Sequence, residues 1–299
     1  MRVWILAKKE NFGNYENTRF KEEAEKEGIE LQFVSNEDID IIITKEGKKS
    51  VLYKGEPVDK LPHCLIPRRG AGTQYFDLAI IRHLERLGVF VLNSANSIEI
   101  AKDKLHTLQI LASAKIPVPK TMLAKLPLNT DLIEKHFLYP LIIKTISGSE
   151  GKGVLLCESR EQLQDIISFL EQSKVASDVN FVIQEFVEAS KGKDIRVIVI
   201  GGKVIGAMVR KAREGKIKAN ISAGGEAIPF ELNPEIEWLA LESAKIIGLD
   251  IAGVDILFNG DTYLVNEVNS SPGFKGFESA TGINVPREIY HYIKVRLGL

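Results

Sequence analysis

The chain has 299 residues, 44% of them hydrophobic and 26% charged, and its 39 Lys and Arg nearly balance its 40 Asp and Glu. The length suggests about two domains in an ordinary globular composition. A formal net charge of −1 supplies no global field to draw in nucleic acid or an anionic membrane, and neither partner is expected.

Val3–Ala7 reads as a short buried strand, Asn14–Lys26 as a helix stopped by Gly28, and Ile29–Val34 as the next strand. Two short β-like runs lie within Asp40–Lys54. Cys64–Pro67 enters the loop Arg68-Arg69-Gly70-Ala71-Gly72. Phe76–Leu87 is a helix closed by Gly88, and Val89–Leu92 is a strand. This alternation argues for a small parallel α/β unit over residues 1–95. Ligands usually meet the loops at the carboxyl ends of such strands, which singles out Arg68 and Arg69.

Ser97–Ala112 reads as one helix carrying Lys102, Asp103 and Lys104, and Ile116–Lys120 as a proline-stiffened linker. In the strand Leu141–Thr145, Lys144 sits among apolar neighbours, where an ammonium needs a partner such as phosphate. The Gly/Ser loop Ser147–Gly153 follows. It is not a Walker A loop, because no Ser or Thr follows Lys152 and the next segment, Val154–Cys157, is strand-like. A flexible hairpin flap over phosphates fits it better. Ser159–Gln162 caps a helix whose apolar face is Leu163, Ile166, Ile167 and Leu170. Phe181–Val187 is a strand, and Ile195–Ile200 with Lys203–Val209 forms a hairpin. The basic cluster Arg210, Lys211, Arg213, Lys216 and Lys218 comes next, then Asn220 and Gly224-Gly225 in a polar loop. Asn233-Pro234-Glu235 opens a helix that Gly248 ends, and the last helix spans Val285 to Leu297.

The most informative stretch is Ala252–Glu278. Two apolar strands, Gly253–Phe258 and Thr262–Val268, are joined by a turn at Asn259-Gly260-Asp261. Asp255, Glu267 and Asn269 interrupt their apolar character. Side chains alternate along a strand, so Glu267 and Asn269 share a face. Asp255 joins them if the turn is three residues long, and faces away if it is two. Two carboxylates about 4 Å apart repel by roughly 4 kcal/mol at an effective dielectric of 20, so either a proton or a cation must lie between them. Asp, Glu and Asn oxygens suit a hard cation, Mg²⁺ or Mn²⁺, whose shell phosphate and water complete.

These ordered motifs resemble the ATP-grasp superfamily, and within it the RimK-like glutamate ligases. The resemblance is carried by Asn96–Leu105, Lys144 with the Ser147–Gly153 loop, Gln184-Glu185-Phe186, Asp194-Ile195-Arg196, Asn220 with Gly224-Gly225, Ala252–Asp255 and Glu267–Gly273. It implies an α/β and α+β fold: an N-terminal parallel α/β domain over residues 1–95, a linker helix and central lobe over 96–187, and a C-terminal lobe with the metal site over 188–299. It further implies that Lys104 and Lys144 contact ATP phosphates, that the backbone of Glu185 and Phe186 binds adenine, and that Asp194 binds the ribose. Lys218, Ala219 and Asn220 stand where the family has Arg-Ser-Asn near the nucleotide. Asp255, Glu267 and Asn269 would hold two Mg²⁺ or Mn²⁺ ions. Phe186 replaces a common Tyr, Ser270 a common Ala, and Lys218 lacks the guanidinium fork.

The family reaction joins a carboxylate to an amine through an acylphosphate, with ADP and phosphate released and no enzyme nucleophile. Arg210 is the residue expected to stabilise the transferring phosphoryl group, and Arg68 and Arg196 are candidates for a substrate carboxylate. The expected substrates are L-glutamate and an acceptor carboxylate: a ribosomal-protein C-terminus, a poly-glutamate chain or a cofactor. Two other readings stand beside this one, a ligase with a different amino donor and a non-catalytic nucleotide-binding interaction protein. A homo-oligomer is expected. Cys64 and Cys157 read as buried free thiols, the N-terminal apolar run is too short for a signal peptide, and a cytoplasmic location is expected.

Overall fold

A computed structural model describes residues 1–45, 50–124, 127–145, 154–172, 181–213 and 224–299. The loop Ser147–Gly153 and the candidate residues Lys218, Ala219 and Asn220 lie outside the described residues.

The first unit holds a four-stranded parallel sheet in the order Glu30–Val34, Arg2–Leu6, Cys64–Pro67, Phe90–Val91. A small antiparallel sheet of Ile39–Ile41, Val51–Tyr53 and Glu56–Pro57 adjoins it. The helix Tyr15–Lys26 starts where Asn14 accepts from Asn17 N, and Phe20 and Ala24 are its buried apolar residues. Cys64–Pro67 is buried at every position, so the chain leaves the core only at Arg68.

Beyond it, two antiparallel sheets follow. One runs Val154–Cys157, Leu141–Thr145, Phe181–Glu185, Thr121–Ala124. The other has five strands in the order Glu226–Phe230, Lys203–Lys211, Lys193–Ile200, Ile251–Asn259, Thr262–Asn269. The helix Pro234–Ile247 buries Ile236, Leu239, Ala240 and Ala244 against Val197, Val209, Val254, Ile256, Val265 and Val268. Gly248 ends it at φ 78°, a left-handed backbone that glycine adopts without a Cβ penalty.

The opposite face of the five-stranded sheet is divided. At one end Ile198, Ile200, Met208 and Ile251 pack with Phe20 of the first unit and with Phe277, Ile289, Tyr290 and Ile293 near the C-terminus. Tyr290 Oη donates to Phe20 O at 3.0 Å, and Glu278 accepts from Tyr15 and Arg19 at 2.8 and 3.0 Å. The other end lines an open cavity.

The segment expected as one helix over Ser97–Ala112 is two, Ala95–Lys102 and Lys104–Ser113. Asp103 leaves helical backbone at ψ 98° and its carboxylate accepts from His106 N, so it caps the second helix. Lys104 is therefore the first residue of a helix. Short elements also emerge that no periodicity marked: the edge strands Thr121–Ala124 and Glu226–Phe230, and the helices Thr130–His136 and Lys275–Thr281. The linker is not free either, since Val265 N donates to Pro117 O at 2.8 Å.

Candidate active site

The ribbon Ile251–Asn259 with Thr262–Asn269 closes through a two-residue turn, because Asn259 pairs with Thr262. Unbroken pairing from that turn would set Asp255 and Glu267 on opposite faces. The register instead shifts by one: Ile256 faces Val265, but Asp255 faces Glu267 and Gly253 faces Asn269. Asn266 is the extra residue of a β-bulge. The bulge puts Asp255, Glu267 and Asn269 on one face, and lets Val265 and Val268, three positions apart, both reach the helix-covered core. Of the two turn lengths the shorter is present, and the bulge restores the shared face that this length alone would have denied.

Neighbouring strands complete the face. Asp194 lies opposite Arg210 and Arg196 opposite Asp255, so all four share the side of Glu267 and Asn269. Arg196 grips Asp255 with both Nε and a terminal nitrogen at 2.6 Å, and Arg210 grips Asp194 in the same bidentate way at 2.6 Å. Arg210 also reaches Asp255 Oδ2 at 2.9 Å. Burial alone would push the Asp255 carboxyl up, but the two guanidinium groups outweigh it and hold it below the usual carboxylate range. Burial likewise opposes the Arg210 charge, and Asp255 and Asp194 override it.

Glu267 Oε1 lies 3.5 Å from Lys104 Nζ. The Asn269 carboxamide fits between Glu267 Oε1 and Arg196, with its nitrogen toward the carboxylate and its oxygen toward the guanidinium, 3.2 Å from each. Lys144 Nζ donates to Gln184 Oε1 at 2.5 Å and to Asn266 Oδ1 at 3.4 Å. Burial lowers the pKa of Lys144 to about 8. Gln184, 3% exposed, is fixed in turn by donating to Thr121 Oγ1 at 3.0 Å.

Behind the face, Asn93 is buried. Its carboxamide accepts from Ile251 N and donates to Ile251 O and Ser270 O, each at 2.8 Å. It thereby ties the start of one ribbon strand to the end of the other. A Cβ on Gly253 would lie 2.7 Å from Pro272 Cβ, so only glycine lets the tail after Asn269 fold back over the ribbon.

One cavity of about 690 Å³ gathers these groups. Lys104, Lys144, Glu185, Phe186, Asp194, Arg196, Arg210, Asp255, Glu267 and Asn269 all line it, and so does Arg68 from the first unit. Cations outnumber carboxylates along its wall, as an anionic ligand requires. Glu185 N donates to Lys120 O at 3.0 Å, and Lys120 N donates back to Glu185 Oε1 at 2.8 Å. Among the described residues no group of three or more His, Cys, Asp or Glu could by itself hold a metal. The site offers two carboxylates and a carboxamide, all oxygen donors, which fits a hard divalent cation that shares its shell with phosphate.

Three residues at the site have no role assigned from the sequence. Gln184 had a signal, a lone amide in an apolar strand. Asn266 was marked only by the three-residue spacing of Val265 and Val268. Asn93 had none. Arg69, singled out with Arg68, also lines the cavity, but its Nε is paired at 3.1 Å with the fully buried Asp77.

Residues 101–293 match the family model of the RimK-like ATP-grasp domain, and residues 1–98 that of the RimK PreATP-grasp domain. A probable alpha-L-glutamate ligase of Legionella pneumophila is 38% identical over 297 residues, 98% of this chain and 95% of that one. One from Vibrio vulnificus is 37% identical over 295 residues, with the same coverage. Among solved structures, the ATP-grasp ligase PsnB with its minimal precursor superposes with a TM-score of 0.76 at 18% identity, over 99% of this chain and 98% of that one. A RimK domain protein from Sphaerobacter thermophilus gives 0.72 at 19% identity, over 98% and 99%. The D-alanine–D-alanine ligase of Bacillus anthracis with ATP gives 0.66 at 18% identity, over 99% and 98%.

Proposed function

This chain belongs to the RimK-like ATP-grasp family, and on that premise we propose that it is an ATP-dependent carboxylate–amine ligase that adds L-glutamate to an acceptor carboxylate. The observation that carries the reading is the single charged face on which Asp255, Glu267, Asn269, Arg196 and Arg210 meet, with Lys104 and Lys144 at its edge.

Lys104 and Lys144 neutralise the phosphates of ATP, while Glu185, Phe186 and Asp194 line the nucleoside end. Lys218, Ala219 and Asn220 belong to the same nucleotide contact. Asp255, Glu267 and Asn269 would hold Mg²⁺ or Mn²⁺, two ions in the full complex, and such ions would supply neutralisation of phosphate charge. Arg210 touches Asp255, one of the three oxygen-donor residues. It stabilises charge on the transferring group there. The acceptor carboxylate takes the γ-phosphoryl group, and the amine of glutamate displaces phosphate from the acylphosphate. Among the described residues the cavity presents no Ser, Cys or His as a nucleophile beside a base, and none is needed.

We assign the acceptor to the class of peptide or protein carboxylates, a ribosomal-protein C-terminus or a growing poly-glutamate chain. PsnB and the macrocyclase MdnC, of the same fold, are seen with precursor peptides. The domain limits 1–95, 96–187 and 188–299, a homo-oligomeric state and a cytoplasmic location complete the proposal. No helix among the described residues is long and apolar enough to cross a membrane. The test is incubation with ATP, Mg²⁺, labelled glutamate and a panel of peptide acceptors. Glutamyl addition matched by ADP supports the reading. ATP binding without glutamate-dependent ADP supports an interaction module instead.

A further inference from the structure

The two arginines that could meet a substrate carboxylate are in different states. Arg196 is spent on Asp255. Arg68 is not: among the described residues its guanidinium has no ion-pair partner, and its Nε is buried without an acceptor. Arg68 instead lies against two aromatic rings, with its Cζ 5.9 Å from the Phe20 centroid and 5.5 Å from the Phe274 centroid. Burial lowers its pKa to about 10, and the neighbouring Glu16 only partly offsets this. Glu16 is itself engaged, accepting from Phe274 N at 3.3 Å. An Nε held in this way is costly, because it has lost water without gaining an acceptor, while the two terminal nitrogens are not among the buried unpaired atoms and have no hydrogen-bond partner among the described residues.

The position of this uncommitted guanidinium gives it a use. Arg68 leaves the carboxyl end of a buried strand and lines the same cavity as Lys144 and Arg210. Phe274, which packs on it, is separated from Asn269 only by the loop Ser270–Gly273. Arg68 is contributed to the cavity by the first unit, whereas Lys144 and Arg210 come from the two antiparallel sheets.

We propose that Arg68 is the anchor for a spectator carboxylate of a substrate, the one that is not phosphorylated, through bidentate hydrogen bonds from its guanidinium. The aromatic pair fixes the plane of the fork so that little is lost when the ligand arrives. The carboxylate comes either from the free amino-acid donor or from the acceptor's terminal residue, and the inference rests on the ligase reading above.

The experiment follows thermal melting and calorimetric binding of the full chain with Mg–ADP present. L-glutamate is added in one arm and a glutamyl-glutamate dipeptide in the other, for wild type and Arg68→Met. Loss of a bidentate charged contact should weaken one of these ligands by roughly tenfold to hundredfold, leave Mg–ADP affinity unchanged, and leave the ligand-free melt equal or higher. The arm that responds names the source of the carboxylate. A lower melt with unchanged affinity for both would overturn the proposal and assign Arg68 to aromatic packing alone. If Arg68→Met does not fold, Arg68→Lys keeps the charge and loses the fork. Unaltered affinities in that variant would equally overturn the proposal. Wild type that binds Mg–ADP but neither carboxylate contradicts the ligase reading itself, a result distinct from a failure of Arg68.

Discussion

Raising the pH should weaken nucleotide binding through one side chain. Burial lowers Lys144 from 10.5 to about 8, nearby Lys104 adds to the effect, and Glu267 opposes both. That fall corresponds to about 3 kcal/mol of disfavoured charge. In the unfolded chain the lysine keeps its proton to its ordinary pKa. From about pH 8 to that value the unfolded state binds more protons, and the contribution of Lys144 to stability rises with pH. Binding runs the other way. A phosphate beside Lys144 favours the ammonium, so above about pH 8 nucleotide binding must take up a proton, and affinity should fall about tenfold per pH unit until the pKa of the complex is reached. Calorimetric titration of Mg–ADP between about pH 7 and 9.5, in buffers of different ionisation enthalpy, measures both the decline and the proton uptake. Lys144→Met should bind weakly at every pH with no decline. Lys144→Arg should bind without the decline, because guanidinium does not titrate in this range. A flat wild-type profile, or a decline that survives in Lys144→Met, would refute the assignment of Lys144 to phosphate.

The ribbon supplies further tests. Gly253→Ala must displace Pro272, and should cost about 1–3 kcal/mol in chemical denaturation while weakening metal-dependent ADP binding. Arg196→Met leaves Asp255 buried with one guanidinium instead of two, and should lower stability by about 3 kcal/mol or more, read from the urea midpoint. Asn93→Ala orphans the Ile251 and Ser270 backbone groups. It should cost about 1–3 kcal/mol and lower kcat more than the KM for ATP, since it positions the ribbon without touching nucleotide. Mg²⁺ alone should bind weakly, because Arg196 and Arg210 already satisfy Asp255. ADP should raise metal affinity in wild type and not in Asp255→Asn, as followed by calorimetry.

Much of the fold was legible because its signals are local. Asn14, Asn233 and Gly248 mark helix ends by capping chemistry, and Val285–Leu297 runs as its apolar period indicates. Asp103 falls inside the helical pattern of Ser97–Ala112, yet Asp is a better cap than a helix former, and it caps the second helix. The site was legible in its residues but not in its contacts. Which residues meet on one sheet face depends on register, and register here turns on one inserted residue, Asn266, whose effect is non-local. The pairing of Arg196 with Asp255 and of Arg210 with Asp194 also arises only between strands distant in sequence. Arg68 was visible as a loop residue at a strand end. That it has no ion-pair partner among the described residues, and rests on Phe20 and Phe274 instead, depends on contacts between segments distant in sequence.

The central claim is that this charged face activates a carboxylate by phosphoryl transfer. Heavy-oxygen label in the acceptor carboxylate follows that bond directly. During turnover with ATP, Mg²⁺ and glutamate, one labelled oxygen should pass from acceptor to inorganic phosphate for each glutamyl group added, and Asp255→Asn should abolish both. Phosphate that carries no label while glutamyl product accumulates would contradict the account.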